Sequence, residues 1–187
     1  ILDHHLGSEE DPKCHSIVNP NRQIESGVLS YLCAAGVVFL TLVECGRQLK
    51  DSNKTSPNLM DYLDLVALGT VADVAPLTGV NRAFVRQGLK ILSNRKRLGL
   101  KSLIDKSGIN SSPTSYHLGY ILGPKLNAPG RIGPADLALR LLCSSSPAEA
   151  NDLCEQIQEL NSQRREIEKI AREQALAQID KNQSENS

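Results

Sequence analysis

Several things are missing from this sequence of 187 residues, and each absence closes off a class of protein. No apolar run reaches the ~18 residues that a membrane span needs. The longest apolar-rich stretch, GVVFLTLVECG, is shorter and carries Glu44. No charged leader followed by an apolar stretch and a cleavage site is present, so the expected location is the cytoplasm and no membrane is expected as a partner. The five cysteines are odd in number and contain no C-x-x-C pair. That argues against a disulfide frame or zinc ribbon and predicts reduced thiols. Cys33, Cys45, Cys143 and Cys154 fall in helical patterns and are expected in the core. There is no internal repeat and no low-complexity tract. Hydrophobic content of 40% with 22% charged residues fits a soluble globular class.

Net charge is also absent, but its zero hides a pattern. Residues 1–75 carry 5 basic and 10 acidic side chains, residues 76–131 carry 10 and 1, and residues 132–187 carry 6 and 10. The middle block, at +9, is either a solvated helix face or a track for phosphates.

The elements follow from periodicity and punctuation. Ile1 and Leu2 read as the end of a buried strand, and Ser16 to Val18 as a second strand ended by an Asn-Pro-Asn turn. Apolar residues recur at helical spacing from Gly27 to Lys50. Ser56 and Pro57 predict a helix start, with the helix running to Gly69 and a loop after it. An amphipathic helix over VNRAFVRQGLKILSN places Arg82, Arg86 and Lys90 on one face. A shorter helix ends at Gly108. In HLGYILGPKLNAPGRIGPADLALRLL, four glycines and three prolines predict special backbone angles, with a helix beginning near Pro134. Ser146, Pro147 and Glu149 form a capping box. The helix it starts is predicted to reach about Asp180, on the order of 50 Å, with a frayed end over 181–187. Its narrow apolar stripe suits a helix bridging two bodies. This divides the chain into 1–146 and 147–187, an α/β domain followed by a connector.

Three places could carry chemistry. Asp3, His4 and His5 combine the ligand types shared by zinc, manganese, iron and nickel sites, or they are a solvated polar tail. Asp73 lies amid Val71, Ala72, Val74 and Ala75, so a buried carboxylate is expected, meeting a helix cap, a base or a metal. LNAPGRIG offers Asn127, Arg131 and glycine-permitted amides before a helix, which suits an oxyanion or phosphate; the alternative is a structural glycine turn. Cys14, His15 and His117 read as structural.

Together these stretches resemble the DHH phosphoesterase superfamily, in its single-strand-specific exonuclease branch. The points of resemblance are DHH at Asp3 to His5, VNPN, LCAAGVVFLTL, DYLDLVALGTVADVAPLTGVNRAFVRQGLK, GPKLNAPGRIG and LNSQRREIEKI. They cover almost the whole chain. Ala34 and Pro129 stand where glycine and alanine are expected.

The resemblance implies the C-terminal part of a core made of a parallel sheet flanked by helices, then a mainly helical subdomain and a long connector helix. It implies 5′ to 3′ hydrolysis of single-stranded DNA with two divalent cations, Mn2+ or Mg2+, in DNA repair and recombination, alongside other repair proteins. By motif position, His4 and Asp73 would ligate one metal, Asp3 would hold His4 in place, and His5 would face the phosphate or the leaving group. Asn127, Arg131, Lys125, Arg82, Arg86 and Lys90 would lie along the strand. In the family a D-x-D motif precedes DHH and supplies further ligands, so the chain alone is expected to be inactive. The competing readings are a DHH phosphodiesterase acting on oligoribonucleotides or cyclic dinucleotides, and a remnant that only binds nucleic acid.

Overall fold

The computed structural model describes residues 1–185, with side chains through Ile179. The described elements are α1 (Ala34–Asp51), a 3-10 turn (Leu59–Tyr62), α2 (Leu63–Ala72), α3 (Gly79–Ser93), α4 (Leu98–Lys106), a π-helix (His117–Leu122), α5 (Gly123–Asn127), α6 (Pro129–Ile132), α7 (Leu137–Cys143) and α8 (Pro147–Glu185). None of the described helices is long and apolar enough to cross a membrane.

The expected parallel sheet is not found among the described residues; one parallel bridge, Leu2 to Val18, stands in its place. Its hydrogen bonds run from Val18 N to the Ile1 carbonyl (2.9 Å) and from Asp3 N to the Val18 carbonyl (3.1 Å). The ladder stops there for a local reason. The Asp3 carboxylate accepts the N–H groups of His4 (2.8 Å) and His5 (3.4 Å), which takes them away from strand pairing. Ile1 and Leu2 are exposed, not buried.

The chain divides into two compact units. The first comprises Ile1–Lys96 and Ile109–Gly123. Its centre is α2, which buries Leu63, Val66, Ala67, Leu68 and Thr70. Apart from Asp64, also buried, α2 is apolar on nearly every side; such a helix must be enclosed, and α1, α3 and the π-helix all pack on it. Gly88 allows the α3 approach, since a Cβ there would sit 2.1 Å from the Leu63 carbonyl oxygen. Phe39 of α1 and Phe84 of α3 meet edge to face, 5.2 Å between centroids, worth about 0.5–1.5 kcal/mol beyond burial.

The second unit holds Arg97–Gly108 and the chain from Pro124 onward. Here α4, α6 and α7 pack against the first half of α8. Leu100, Leu103, Ile104, Leu141, Leu153 and Ile157 are fully buried. Gly108, at φ +71°, ends α4 as expected. The capping box forms with a relay: Glu149 N donates to Ser146 Oγ (3.4 Å), while Ser144 Oγ donates to the Glu149 carboxylate (2.8 Å) and accepts from Ser146 N (3.4 Å). Beyond Asn161 the apolar residues Ile167, Ile170, Leu176 and Ile179 are about half exposed. The helix runs to Glu185, past the predicted end; of the frayed tail, Asn186 and Ser187 lie outside the described residues.

Other expectations need correction. α1 starts at Ala34, not Gly27, because residues 27–32 form turns and Gly27 adopts φ +72°. Ser56 caps nothing; Asn58 accepts from Met60 N and opens the 3-10 turn. The glycine- and proline-rich stretch is helical, and none of Gly119, Gly123, Gly130 and Gly133 has positive φ. Three of these glycines serve close packing: a Cβ on Gly119 would meet Val71 Cγ1 at 3.2 Å, on Gly123 the Leu118 carbonyl oxygen at 2.8 Å, and on Gly133 Leu160 Cδ1 at 2.8 Å. Cys45 and Cys143 are exposed, whereas Cys33 and Cys154 are buried.

Candidate metal centre

The D-H-H triplet sits in a short arch lashed down by the two asparagines of the VNPN turn. Asn19, itself buried, donates from Nδ2 to the His5 carbonyl (2.8 Å) and accepts from Asn21 N (2.9 Å). Asn21 Nδ2 donates to the His4 carbonyl (2.7 Å) and to the Ser30 carbonyl (3.0 Å). Gly7 N donates to the Asn21 carbonyl (3.0 Å) and closes the arch. In the sequence this motif reads as a turn and as a point of family resemblance, with no contacts assigned to its asparagines. The available signal was two amides, each with two donors and an acceptor, flanking a proline opposite a polar loop.

Within the arch, Asp3 and His5 form a pair: His5 Nδ1 lies 2.8 Å from Asp3 Oδ1. The His5 ring and the backbone N–H of His4 hold the Asp3 carboxyl below its ordinary range. An ionised carboxylate only accepts, so the proton of this bond is on His5 Nδ1. The Nε2 atom of this exposed ring then points its lone pair outward whenever the imidazole is neutral. Asp3 was expected to hold His4. It does so through the His4 backbone N–H, while its ring contact goes to His5.

The His4 ring, with a side chain only 17% exposed, turns to Asp73 instead. Its Nδ1 is 3.6 Å from Asp73 Oδ2, too far for a hydrogen bond. Two ligand atoms each about 2.1 Å from one cation lie on the order of 3–3.5 Å apart. The observed gap therefore suits a shared ion with little movement. The donor atoms of Asp3, His4 and His5 also lie within 4.8 Å of one another.

Asp73 is exposed rather than buried, because α2 continues three residues past Gly69 and turns the carboxylate outward. It is the C-cap residue of α2. A carboxylate is disfavoured at the negative end of a helix dipole. The next residue is strained: Val74 adopts φ +58°. Val74 N donates to the Val71 carbonyl and Ala75 N to the Thr70 carbonyl, each at 3.1 Å, which is a Schellman ending with valine where glycine is usual. A carboxylate against the dipole, followed by a strained valine, is a costly way to finish a helix. A cation between Asp73 and His4 reverses the electrostatic part of that cost.

The proposed strand-contact residues fall in two groups. On α3 of the first unit, Arg82, Arg86 and Lys90 are all exposed, as predicted. In the second unit, Asn127 and Arg131 are exposed, and Gly130 beside Arg131 has open space where a Cβ would be. Lys125 differs from this group. It is partly buried, its ammonium donates to Ser107 Oγ (2.7 Å), and burial lowers its pKa. Its charge is engaged inside the second unit instead of being offered to a strand. His117 is structural, as expected, with Nδ1 accepting from Thr114 N (2.9 Å).

No protein-family model matches the chain. Among curated proteins it is similar to the single-stranded-DNA-specific exonuclease RecJ of Haemophilus influenzae, 37% identical over 174 residues, covering 90% of this chain and 30% of that protein. RecJ of Escherichia coli is 35% identical over 189 residues, 97% of this chain and 33% of the relative. The chain thus spans about a third of the length of the curated relatives it matches. Its fold superposes on the crystal structure of Thermus thermophilus RecJ in complex with Mn2+ with a TM-score of 0.83 and 33% identity, covering 94% of this chain and 26% of that one. A Mg2+ complex of the same protein gives a TM-score of 0.67 over 74% of this chain and 21% of that one, at 36% identity.

Proposed function

We propose that this chain, a homologue of the RecJ exonucleases over about a third of their length, forms the His4 and Asp73 side of a divalent-metal centre in a nuclease that hydrolyses single-stranded DNA. The observation that carries the reading is the 3.6 Å approach of His4 Nδ1 to Asp73 Oδ2, with no proton shared between them. The carboxylate suits both Mn2+ and Mg2+, the ions in the similar crystal structures, and the imidazole beside it favours Mn2+ of the two. When bound, a pair of such ions supplies an activated water and neutralises charge on the attacked phosphoryl group.

The chain's own residues have separate tasks in this reading. His4 and Asp73 hold one ion. Asp3 fixes the tautomer of His5, whose exposed Nε2 faces the phosphate or the leaving oxygen. Asn19 and Asn21 keep the arch in register. Arg82, Arg86 and Lys90 on α3, and Asn127 and Arg131 in the second unit, contact phosphates. Two ligands are fewer than a two-metal centre requires, so the isolated chain is expected to bind single strands without cutting them. The Leu2–Val18 bridge would then be the rim of a parallel sheet in the longer protein. The connector predicted from 147 would be the exposed stretch of α8 beyond Asn161, since its first half packs against α4, α6 and α7. We place the whole protein in the cytoplasm, acting 5′ to 3′ alongside other DNA-repair proteins.

Anisotropy of a labelled oligodeoxynucleotide at several salt concentrations tests the binding half. Affinity should fall with salt, with a log–log slope of about −0.7 per phosphate contact. Arg131→Ala should weaken binding more than Arg86→Ala, because Gly130 leaves open space beside Arg131 for a phosphate that the guanidinium can grip with two hydrogen bonds. Binding indifferent to salt would mean that the basic block is only a solvated face. Robust Mn2+-dependent digestion by the purified chain, lost in Asp73→Ala, would show that the chain needs no further ligands.

A further inference from the structure

Aromatic residues make up only 3% of this chain, and its two phenylalanines are spent on the core. Three of the four tyrosines, Tyr62, Tyr116 and Tyr120, are exposed, and two of them face each other. Tyr116 and Tyr120 are 61% and 74% exposed, and they stack on each other, with centroids 5.1 Å apart and planes 26° apart. Such a pair covers one face of each ring. Tyr116 also meets the His117 ring at 6.0 Å, whereas Tyr120 keeps its outer face open.

Their position is fixed by the metal-centre helix. The π-helix widens the turn that follows Tyr116, a feature found often at functional sites. It docks on α2 through glycines, with Gly119 against Val71 and Gly123 against Ala72. These α2 residues immediately precede Asp73. A groove of about 420 Å³ runs between the tyrosines and the loop after α2, walled by Val71, Val74 and Leu77. That volume lies within the ~300–1,000 Å³ of ligand clefts. No charged side chain lines the groove, so it suits a flat neutral ring and not a phosphate. All of this belongs to the first unit, as do His4 and Asp73.

We propose that Tyr116 and Tyr120 are a stacking platform for one unpaired nucleobase of the strand whose phosphate lies at His4 and Asp73. The inference rests on the nuclease reading and adds a subsite to it. Every base offers a π face, so the platform is indifferent to sequence; in a duplex those faces are already covered, so it favours single strands. The strained Val74, next to Asp73 in the chain, lines the platform groove with an apolar side chain, 87% exposed.

The test compares two labelled strands of equal length by anisotropy: oligothymidylate, and a strand of abasic sites that keeps the phosphates and lacks the bases. The wild-type chain should bind the thymine strand about tenfold more tightly, the scale of one base stacked on an aromatic ring. Tyr116→Ala with Tyr120→Ala should erase that preference and leave abasic binding unchanged, and Tyr120→Phe should keep it. Both tyrosines are exposed, so unchanged helical ellipticity is expected in every variant. Equal binding of the two strands by wild type, or a preference that survives the double substitution, overturns the platform while leaving salt-dependent phosphate binding intact. Failure of the wild type to bind either strand overturns the platform together with the nuclease reading beneath it.

Discussion

His4 Nδ1 and Asp73 Oδ2 face each other at 3.6 Å, one on an arch near the N-terminus and the other at the C-cap of α2. Neither end of this relationship is locally comfortable. The arch is held by side-chain amides in place of a ladder, and the cap sets a carboxylate against a helix dipole ahead of a strained valine. Both costs have a function if the two groups share a cation.

The asparagine clamp predicts a split between stability and metal binding. Asn19→Ala leaves the His5 carbonyl and the Asn21 N–H without their partner, which should cost about 1–3 kcal/mol locally. We expect the arch to loosen while the helices persist. Mn2+ affinity should drop several-fold with helical ellipticity near wild type. Unchanged Mn2+ affinity would mean that the clamp does not position His4.

Val74→Gly removes a β-branched side chain from a left-handed position, where a non-glycine residue costs roughly 1–2 kcal/mol. The melting temperature should rise by a few degrees for a chain of this size. A fall would show that the exposed valine contributes packing that outweighs its strain.

Thiol labelling reports on burial. With Ellman's reagent, Cys14, Cys45 and Cys143 should react quickly, and Cys33 and Cys154 only on unfolding. Burial also pushes the Cys154 thiol above its usual pKa, which lowers its reactive thiolate further. Five fast thiols would contradict the buried core of each unit.

One acid titrates far from its ordinary range. Glu44, hydrogen-bonded by Arg47 and then by Gln48, is lowered from 4.5 to about 2. A lowered carboxylate stabilises the folded state above its unfolded pKa, and that contribution is lost as pH falls from 4.5 toward 2. Following the Glu44 side chain by NMR should give the low midpoint, and Arg47→Gln should move it back toward 4.5. A wild-type midpoint near 4.5 would show that the hydrogen bonds from Arg47 and Gln48 to Glu44 on α1 do not persist in solution.

The helices with regular punctuation were legible. The amphipathic face of α3, the Gly108 ending of α4 and the Ser146 cap all use local rules that tertiary packing leaves alone. The glycine-rich stretch misled because glycine has two uses. Gly119, Gly123 and Gly133 admit neighbouring atoms and hold ordinary backbone angles, and only a three-dimensional neighbour reveals that. Asp73 reads as buried from its apolar neighbours in the sequence. Those neighbours belong to the last turn of α2 and the strained ending beyond it, and only the length of that helix decides where the carboxylate points. The pairing of Asp73 with His4 came from family resemblance, since nothing in local periodicity links positions so far apart. Asn19 and Asn21 read as turn residues in the sequence because their partners, the backbone carbonyls of the arch, carry no sequence signal.

A cation shared by His4 and Asp73 is the centre of the proposed function. Titrating the chain with Mn2+ while following the free-ion signal by electron paramagnetic resonance measures this directly. We predict weak binding of one ion by the wild type, lost in His4→Ala and equally in Asp73→Asn, with ellipticity unchanged in both. Binding that is the same in all three proteins would contradict the shared site.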